Sequence, residues 1–236
     1  MDKRIIAIGG GEIKNKTTLK IDEYVANLAK EKAGERRAVS LFIGTASHDS
    51  MPYFNSFRKT YTSVFDIKAE VALMVFGEMS VEHIKEKIDR ADLIYVGGGD
   101  TLFMLEKWKE FGIDKLILDA YQRGTIICGL SAGAICWFKE MYTDYEIMRG
   151  VGSEYKLVDG LGVLDGTMCP HFNEREEDFK SALENGKIKG AYCVENDCAI
   201  EFVNGNFNKV ISAGGRAYYL TNDNGRIIKK DLDASN

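Results

Sequence analysis

Histidine and proline are both scarce in this 236-residue chain, which contains three His and two Pro. With 24 Gly against two Pro, the turns depend on glycine's access to positive φ rather than on rigid proline turns. The scarcity of histidine limits the choice of a catalytic base to His48, His83 and His171. Any chemistry that needs an imidazole must use one of these three side chains.

Long apolar runs, basic stripes and paired cysteines are also absent from the sequence. No run spans a bilayer, and the start MDKRIIAIGGGEI lacks a signal-peptide core. No basic run, such as Lys229-Lys230, is longer than two residues, and the formal net charge is −5, so we expect neither nucleic acid nor a membrane as a partner. Five cysteines without a C-x-x-C pair predict reduced thiols in a cytoplasmic protein. We expect no metal site.

Short apolar runs alternate with amphipathic stretches over the first 140 residues or so. Apolar strands without polar alternation predict an α/β fold with a mostly parallel sheet and helices on both faces. After residue 193, short strands joined by the turns VNGN and NDNG predict an antiparallel extension of the same sheet. No linker or internal repeat interrupts the chain, so residues 1–236 are predicted to form one domain. The predicted strands are 4–8, 38–43, one within 63–72, 93–96, 125–128, 193–203, 209–212 and 217–220, and the predicted helices are 18–32, 53–61, 81–88, 101–108 and 116–121.

The pentapeptide GLSAG, residues 129–133, lies between a predicted strand and a predicted helix. This placement is typical of a nucleophile elbow, in which the serine sits on a strained turn at the start of a helix. Ser131 is therefore the candidate nucleophile, and the N–H of Ala132 is a candidate oxyanion donor. The alternative is a tight turn made by the glycines, in which the serine has no catalytic role.

The glycine loops at 9–11 and 97–99 both follow predicted strands. Neither fits G-x-G-x-x-G and no P-loop lysine follows, so nucleotide binding is disfavoured. One interpretation is that both loops are tight turns between a strand and a helix. The other is that the backbone N–H groups of Gly98 and Gly99 bind an anion or an oxyanion.

A nucleophilic serine needs a base. His171, in MCPHFNERE, follows a predicted strand and is the favoured candidate, whereas His83 lies among the charges of a helix. His48 follows the second strand and either contacts substrate or caps a turn. The carboxylate that orients the base stays open on the residues alone, among Asp144, Glu146, Asp159, Asp165 and Glu195.

Four segments together resemble the peptidase E (aspartyl dipeptidase) and cyanophycinase family of serine peptidases: YVGGGDTLFML, GLSAGAICWF, CPHF and CVENDCAI. The resemblance implies a fold similar to class I glutamine amidotransferases and a Ser-His-Glu triad. Carried over, the triad is Ser131, His171 and Glu195, and the oxyanion donors are Gly99 and Ala132. An acidic residue after the serine is also implicated in the family, and Asp144 matches that position.

The resemblance further implies an arginine that binds the acidic side chain of an N-terminal aspartate. Arg175 takes that place here, but much closer to the histidine than in peptidase E. Its alternative is an i,i+3 ion pair with Asp178 on one helix.

The expected function is hydrolysis of small peptides, dipeptides beginning with Asp in particular, without a cofactor. Alternatives are a cyanophycinase-like hydrolase of β-linked Asp-Arg and a non-catalytic binding module. An α/β-hydrolase esterase is disfavoured because no histidine follows residue 171. The partner is a small peptide substrate, and a homodimer is a candidate assembly.

Overall fold

The computed structural model describes residues 2–76 and 79–232. The strands are β1 (Arg4–Ile8), β2 (Val39–Ile43), β3 (Lys68–Ala72), β4 (Leu93–Val96), β5 (Ile126–Leu130), β6 (Phe138–Thr143), β7 (Lys156–Asp159), β8 (Leu164–Cys169), β9 (Gly190–Val194), β10 (Cys198–Val203), β11 (Asn206–Ser212), β12 (Ala217–Asp223) and β13 (Arg226–Asp231). The helices are α1 (Leu19–Ala33), α2 (Met51–Ser63), α3 (Val81–Arg90), α4 (Thr101–Phe111), α5 (Ile113–Gln122), α6 (Ala132–Ile135), α7 (Tyr145–Met148) and α8 (Phe172–Glu184).

The first sheet has seven strands in the order β11-β10-β1-β5-β4-β2-β3. Its central strands β1, β5, β4, β2 and β3 run parallel, and β10 and β11 add an antiparallel edge. The strands β1, β2, β4 and β5 are buried almost throughout, as expected for a sheet covered on both faces. The predicted α/β architecture with a mostly parallel sheet is confirmed.

A second sheet of six strands has the order β13-β12-β9-β8-β6-β7. Its strands β6, β8 and β9 are parallel, and β7, β12 and β13 pair antiparallel to their neighbours. The predicted antiparallel strands near the C-terminus are confirmed, but they do not all extend the first sheet. The reason is a break at residues 195–197, between β9 and β10, which sends the chain from the second sheet into the first.

Three apolar clusters hold these layers together. Two of them pack against opposite faces of the first sheet. The cluster on one face includes Trp108 and Trp137, and the cluster on the other includes Phe57 and Tyr61. The third lies between the second sheet and α8 around Phe179. Among the described residues, no helix combines the length and the apolarity needed to cross a membrane.

Candidate active site

Ser131 occupies a sharp turn between β5 and α6. Its backbone has φ 53°, in the left-handed region that a non-glycine residue adopts only when its surroundings impose it. Both flanking glycines are required by close packing. A Cβ at Gly129 would lie 1.8 Å from the carbonyl oxygen of Gly133, and one at Gly133 would lie 2.2 Å from that of Val96. The GLSAG segment therefore forms the strained strand-to-helix turn of a nucleophile elbow.

His171 lies directly after β8 and immediately before α8. Its backbone is also left-handed, with φ 49°. The imidazole Nε2 is 2.9 Å from the hydroxyl oxygen of Ser131. A separation of this size permits proton transfer from a serine hydroxyl to an imidazole.

The end of β1 and the glycine loop that follows it fix the backbone positions of the serine and the histidine. The backbone N–H of Ser131 donates to the carbonyl of Ile8 at 2.9 Å, and that of His171 donates to Gly9 at 3.0 Å. The N–H of Asp197 donates to Gly10 at 3.0 Å. Three consecutive carbonyls thus bind three segments that are far apart in the sequence.

The second nitrogen of His171 contacts an amide rather than a carboxylate. Its Nδ1 is 2.6 Å from Oδ1 of Asn196. Glu195, the orienting residue that the family resemblance implies, lies elsewhere. Its carboxylate accepts from the backbone N–H of Arg216 at 2.9 Å and from the Tyr218 hydroxyl at 3.3 Å.

The position of Glu195 follows from its backbone. Its N–H donates to the carbonyl of Arg216 at 3.0 Å, so the residue continues the pairing of β9 with β12. The side chain folds back onto that neighbouring strand. The structure therefore places Asn196, and not Glu195, against His171.

The second glycine loop, residues 97–99, lies beside Ser131. Gly98 and Gly99 both line the cleft that contains the serine. A Cβ at Gly98 would lie 3.3 Å from that of Ser131, and one at Gly99 would lie 2.1 Å from the carbonyl of Ala46, where φ is 139°. Ala132 is the first residue of α6, so its N–H has no acceptor within the helix. The oxyanion role of Gly99 and Ala132 stays a prediction.

The cleft around Ser131 has a volume of about 670 Å³, which is within the usual range for small-molecule sites. Its charged lining residues are Glu12, Lys14, Asp144, Glu174 and Arg175. Apolar and aromatic contacts come from Ile13, Pro52, Tyr53, Leu130 and Met148. The cleft is therefore small and carries charges of both signs.

Arg175 is buried and already holds a carboxylate. Its Nη2 donates to Oδ2 of Asp144 at 2.9 Å, and its guanidinium lies 4.9 Å from the ring centre of Tyr155. The alternative ion pair with Asp178 does not form, because the carboxylate of Asp178 accepts from the hydroxyl of Tyr142. Asp144 binds this arginine and does not contact His171.

His48 does not reach the cleft. Its backbone is left-handed with φ 51°, and its ring packs 4.2 Å from that of Phe103. The ring covers the first turn of α4, and the contact of His48 with substrate stays a prediction.

Burial of His171 lowers its pKa below the ordinary value of 6.5, and the nearby positive charge of Arg175 lowers it further. A hydrogen bond to Asn196 and the charges of Glu174 and Asp144 act in the opposite direction. The imidazole is consequently neutral at pH 7, which is the state that can accept a proton.

All five thiols are free and buried, and burial raises the pKa of each. Cys128 lies inside β5, three residues before the serine. Such thiols are protonated at neutral pH and are poor nucleophiles. In the part of the chain that the structure describes, no group of three or more His, Cys, Asp or Glu side chains is arranged to hold a metal ion.

Comparison with known proteins adds to this geometry. Residues 5–210 match the model of peptidase family S51. The chain belongs to this family of serine peptidases. It is 32% identical over 222 residues to the uncharacterized peptidase YgaJ of Bacillus subtilis (strain 168), covering 92% of this chain and 91% of that protein. It is also 29% identical over 143 residues to peptidase E of Salmonella arizonae, covering 58% of this chain and 60% of that protein.

Two solved structures share the fold. A putative peptidase E protein from Listeria monocytogenes EGD-e has a TM-score of 0.60 at 21% identity, and the match covers 99% of this chain and 100% of that chain. A peptidase from an acI-B1 Actinobacterium has a TM-score of 0.69 at 16% identity, covering 100% and 96% respectively.

Sequence reasoning missed three residues of this site. Asn196 and Glu174 carry no motif of their own, and Asn196 follows directly after the glutamate that the family pattern emphasises. The sequence predicts only a turn at Gly10, although a Cβ there would lie 2.0 Å from Oδ1 of Asn196 and 2.5 Å from Nδ1 of His171. The one available signal was the run of three glycines in a loop that must approach other backbone closely.

Proposed function

We propose that this member of family S51 hydrolyses short peptides through Ser131 and His171, and that dipeptides with an N-terminal aspartate are among its substrates. The observation that carries the proposal is the 2.9 Å contact between His171 Nε2 and the Ser131 hydroxyl oxygen, on a strained elbow that opens into the cleft. Similarity to peptidase E of Salmonella arizonae supports the peptide substrate.

The mechanism follows from the roles of these groups. His171 accepts the hydroxyl proton as Ser131 attacks the scissile carbonyl, and the N–H groups of Gly99 and Ala132 bind the resulting oxyanion. The imidazolium then donates the proton to the leaving amine. Water, deprotonated by the same imidazole, hydrolyses the acyl-enzyme and restores the serine.

Arg175 supports the choice of an acidic substrate. A guanidinium can bind a carboxylate through two parallel hydrogen bonds. In the free protein Arg175 binds Asp144. The side chain of a substrate aspartate must therefore share the guanidinium with Asp144 or displace Asp144 from it. The other charged lining residues lie on the loop after β1 and at the start of α8, where they can contact the two charged ends of a dipeptide.

The proposal is tested with an alkyl fluorophosphonate and a panel of dipeptides. The panel contains Asp-X, Glu-X, Asn-X, Ala-X, β-Asp-X and β-Asp-Arg. We expect the fluorophosphonate to label Ser131 covalently, and Ser131→Ala to abolish both labelling and dipeptide hydrolysis. Ser63→Ala, at an exposed serine at the end of α2, is the matched control and should retain both.

Three outcomes would redirect the assignment. Labelling without cleavage of any dipeptide would exclude dipeptidase activity but leave the nucleophile in place. Absence of labelling in a folded protein would favour a binding module that retains the fold. Selective cleavage of β-Asp-Arg would favour a cyanophycinase-like hydrolase.

A further inference from the structure

The partner of the catalytic imidazole is an uncharged side chain. Nδ1 of His171 is 2.6 Å from Oδ1 of Asn196, whereas the carboxylate of Glu195 is occupied by Arg216 and Tyr218. In a triad whose third member is an acid, that member stabilises the imidazolium by charge. An amide can only orient the ring, so the two arrangements differ in their chemistry.

The orientation of the Asn196 amide is determined by a third residue. Nδ2 of Asn196 lies 2.5 Å from Oε1 of Glu174. An ionised carboxylate accepts hydrogen bonds and cannot donate, so the NH₂ group of the amide must face Glu174. The amide oxygen then faces His171, and Nδ1 of the imidazole must carry the proton. Nε2 is left with its lone pair directed at the Ser131 hydroxyl, as a general base requires.

The backbone around Asn196 is held at several points. Its N–H donates to Oδ1 of Asn173 at 2.9 Å, and the next residue, Asp197, donates to the carbonyl of Gly10. The N–H of Glu174 donates to the carbonyl of His171 at 2.8 Å, which fixes the first turn of α8. The ring, the amide and the carboxylate therefore keep their relative positions without support from Glu195.

We propose that Asn196, oriented by Glu174, is the positioning residue that sets the tautomer and direction of His171, in the place that the family pattern gives to Glu195. The inference rests on the proposed function, since it assigns a role within the same catalytic site. Asn196 touches neither substrate nor the serine and acts only through the imidazole.

The tautomer of His171 is measured directly by nitrogen-15 NMR of the imidazole rings, which requires no substrate. The chain has only three histidines, and the spectrum of His171→Ala assigns the signals. We expect the wild type to show a proton on Nδ1 and a bare Nε2 at pH 7.5. Asn196→Ala should shift the ring toward the Nε2–H tautomer that free imidazole side chains prefer in water.

Two carboxylate variants identify which acid matters. Glu174→Ala releases the amide, so it should reduce the Nδ1–H population, whereas Glu195→Gln should leave the tautomer as it is. Glu177→Gln is the matched control, because Glu177 lies on the same helix with its side chain 95% exposed. A loss of the Nδ1–H tautomer in Glu195→Gln together with its retention in Asn196→Ala would overturn the proposal.

Fluorophosphonate labelling gives a second readout. General-base catalysis contributes on the order of 10²- to 10⁴-fold to a rate, so Asn196→Ala should label Ser131 roughly tenfold more slowly or worse. Asn196→Asp retains an acceptor and should recover labelling, but only at higher pH, because a carboxylate beside the imidazole raises its pKa. Equal labelling rates and equal pH profiles for the wild type and both variants would contradict the proposal.

The pH profile must be read with the other charges around the ring in mind. Glu174 and Arg175 face it from α8, and Asp144 acts on it from the connection between β6 and α7. Glu12 and Lys14 of the loop after β1 line the same cleft. None of these residues is itself substituted in Asn196→Asp, but the new carboxylate also replaces the amide that donates to Glu174. An upward shift of the profile is therefore the combined effect of the two neighbouring carboxylates on the imidazole. If the wild type shows the Nδ1–H tautomer but no labelling, the proposed function fails while the positioning inference stands.

Discussion

Arg175 and Asp144 form an ion pair inside the cleft, with Nη2 and Oδ2 2.9 Å apart and the arginine side chain 6% exposed. The arginine comes from the first turns of α8 and the aspartate from the connection that follows β6. The guanidinium of Arg175 is therefore already paired with a carboxylate of the same chain. Under the proposed function, the carboxylate of a substrate aspartate competes with Asp144 for this guanidinium.

The first prediction concerns selectivity for acidic substrates. Arg175→Ala should lower kcat/KM for Asp-X by on the order of 30- to 1000-fold, because a charged contact in a desolvated site is worth about 2–5 kcal/mol. The kcat/KM for Asn-X should fall far less. Arg175→Lys should recover only part of the lost kcat/KM for Asp-X, because lysine offers a point charge. Asp144→Asn should raise the ratio of Asp-X to Asn-X activity. Steady-state kinetics on both dipeptides measure these effects, with exposed Arg58→Ala as control.

Equal losses for Asp-X and Asn-X in Arg175→Ala would show that the arginine only holds Asp144 and Tyr155 in place. The aspartyl specificity would then be abandoned, while hydrolysis through Ser131 could still be correct.

The second prediction concerns the dependence of the serine and the histidine on each other. Ser131→Ala and His171→Ala should each remove nearly all turnover, and the double variant should be hardly slower than either, because residues that act as a unit give non-additive losses. Dipeptide turnover by the three variants tests this. Multiplicative losses would count against a serine nucleophile activated by this histidine.

The third prediction concerns Gly10. In Gly10→Ala the new Cβ would lie 2.0 Å from Oδ1 of Asn196 and 2.5 Å from Nδ1 of His171, so it must displace one of them. We expect a large loss of kcat from a variant that remains folded. Gly205→Ala is the control, because it strains a turn at φ 84° with nothing within 4 Å of the added Cβ. It should lower the melting temperature without lowering kcat, and the reverse ranking of the two variants would refute this interpretation.

The fourth prediction concerns a carboxylate in the core rather than in the cleft. Asp22 is 1% exposed and accepts hydrogen bonds from Thr18 and Tyr61. Burial raises its pKa from 3.8 to about 6. Since the folded-state pKa is above that of the unfolded state, the stabilising contribution is complete below pH 3.8 and is lost as the pH rises through about 6.

The contribution of Asp22 to the free energy of unfolding that is lost over this pH range is roughly 3 kcal/mol, at about 1.4 kcal/mol per pKa unit. Asp22→Asn removes the titration, so its free energy of unfolding relative to the wild type should improve between pH 4.5 and pH 7.5. Urea denaturation at both pH values measures it, with exposed Asp119→Asn as control. The prediction fails if the difference between Asp22→Asn and the wild type is the same at both values.

Much of the fold was accessible from the sequence because buried parallel strands have a simple signature. Runs such as Leu93–Val96 are apolar throughout and are followed directly by glycine. The apolar run marks the strand and the glycine marks the turn after it. The strands of the second sheet have weaker signatures. Phe138–Thr143 alternates only in part and Lys156–Asp159 is half-buried, so neither was predicted.

The site was only partly accessible from the sequence, for a related reason. A serine between glycines has a local backbone requirement that a pentapeptide reveals. The partners of His171 are set by tertiary contacts between the start of α8 and the 195–197 turn, and nothing local distinguishes Asn196 from Glu195. Both residues are polar and adjacent, and the pairing of β9 with β12 decides which side chain faces the imidazole.

The loop after β1 has a consequence for when activity can appear during synthesis. The carbonyls of Ile8, at the end of β1, and of Gly9 and Gly10 in the loop accept from the backbone of Ser131 in the middle of the chain and of His171 and Asp197 in later segments. A ribosome-bound fragment that ends before residue 197 contains Ser131 and His171 but cannot form the hydrogen bond between Asp197 and Gly10. The three contacts can therefore coexist only in a chain that extends to residue 197, and we expect shorter fragments to lack the arrangement of Ser131 and His171 that the proposed hydrolysis needs.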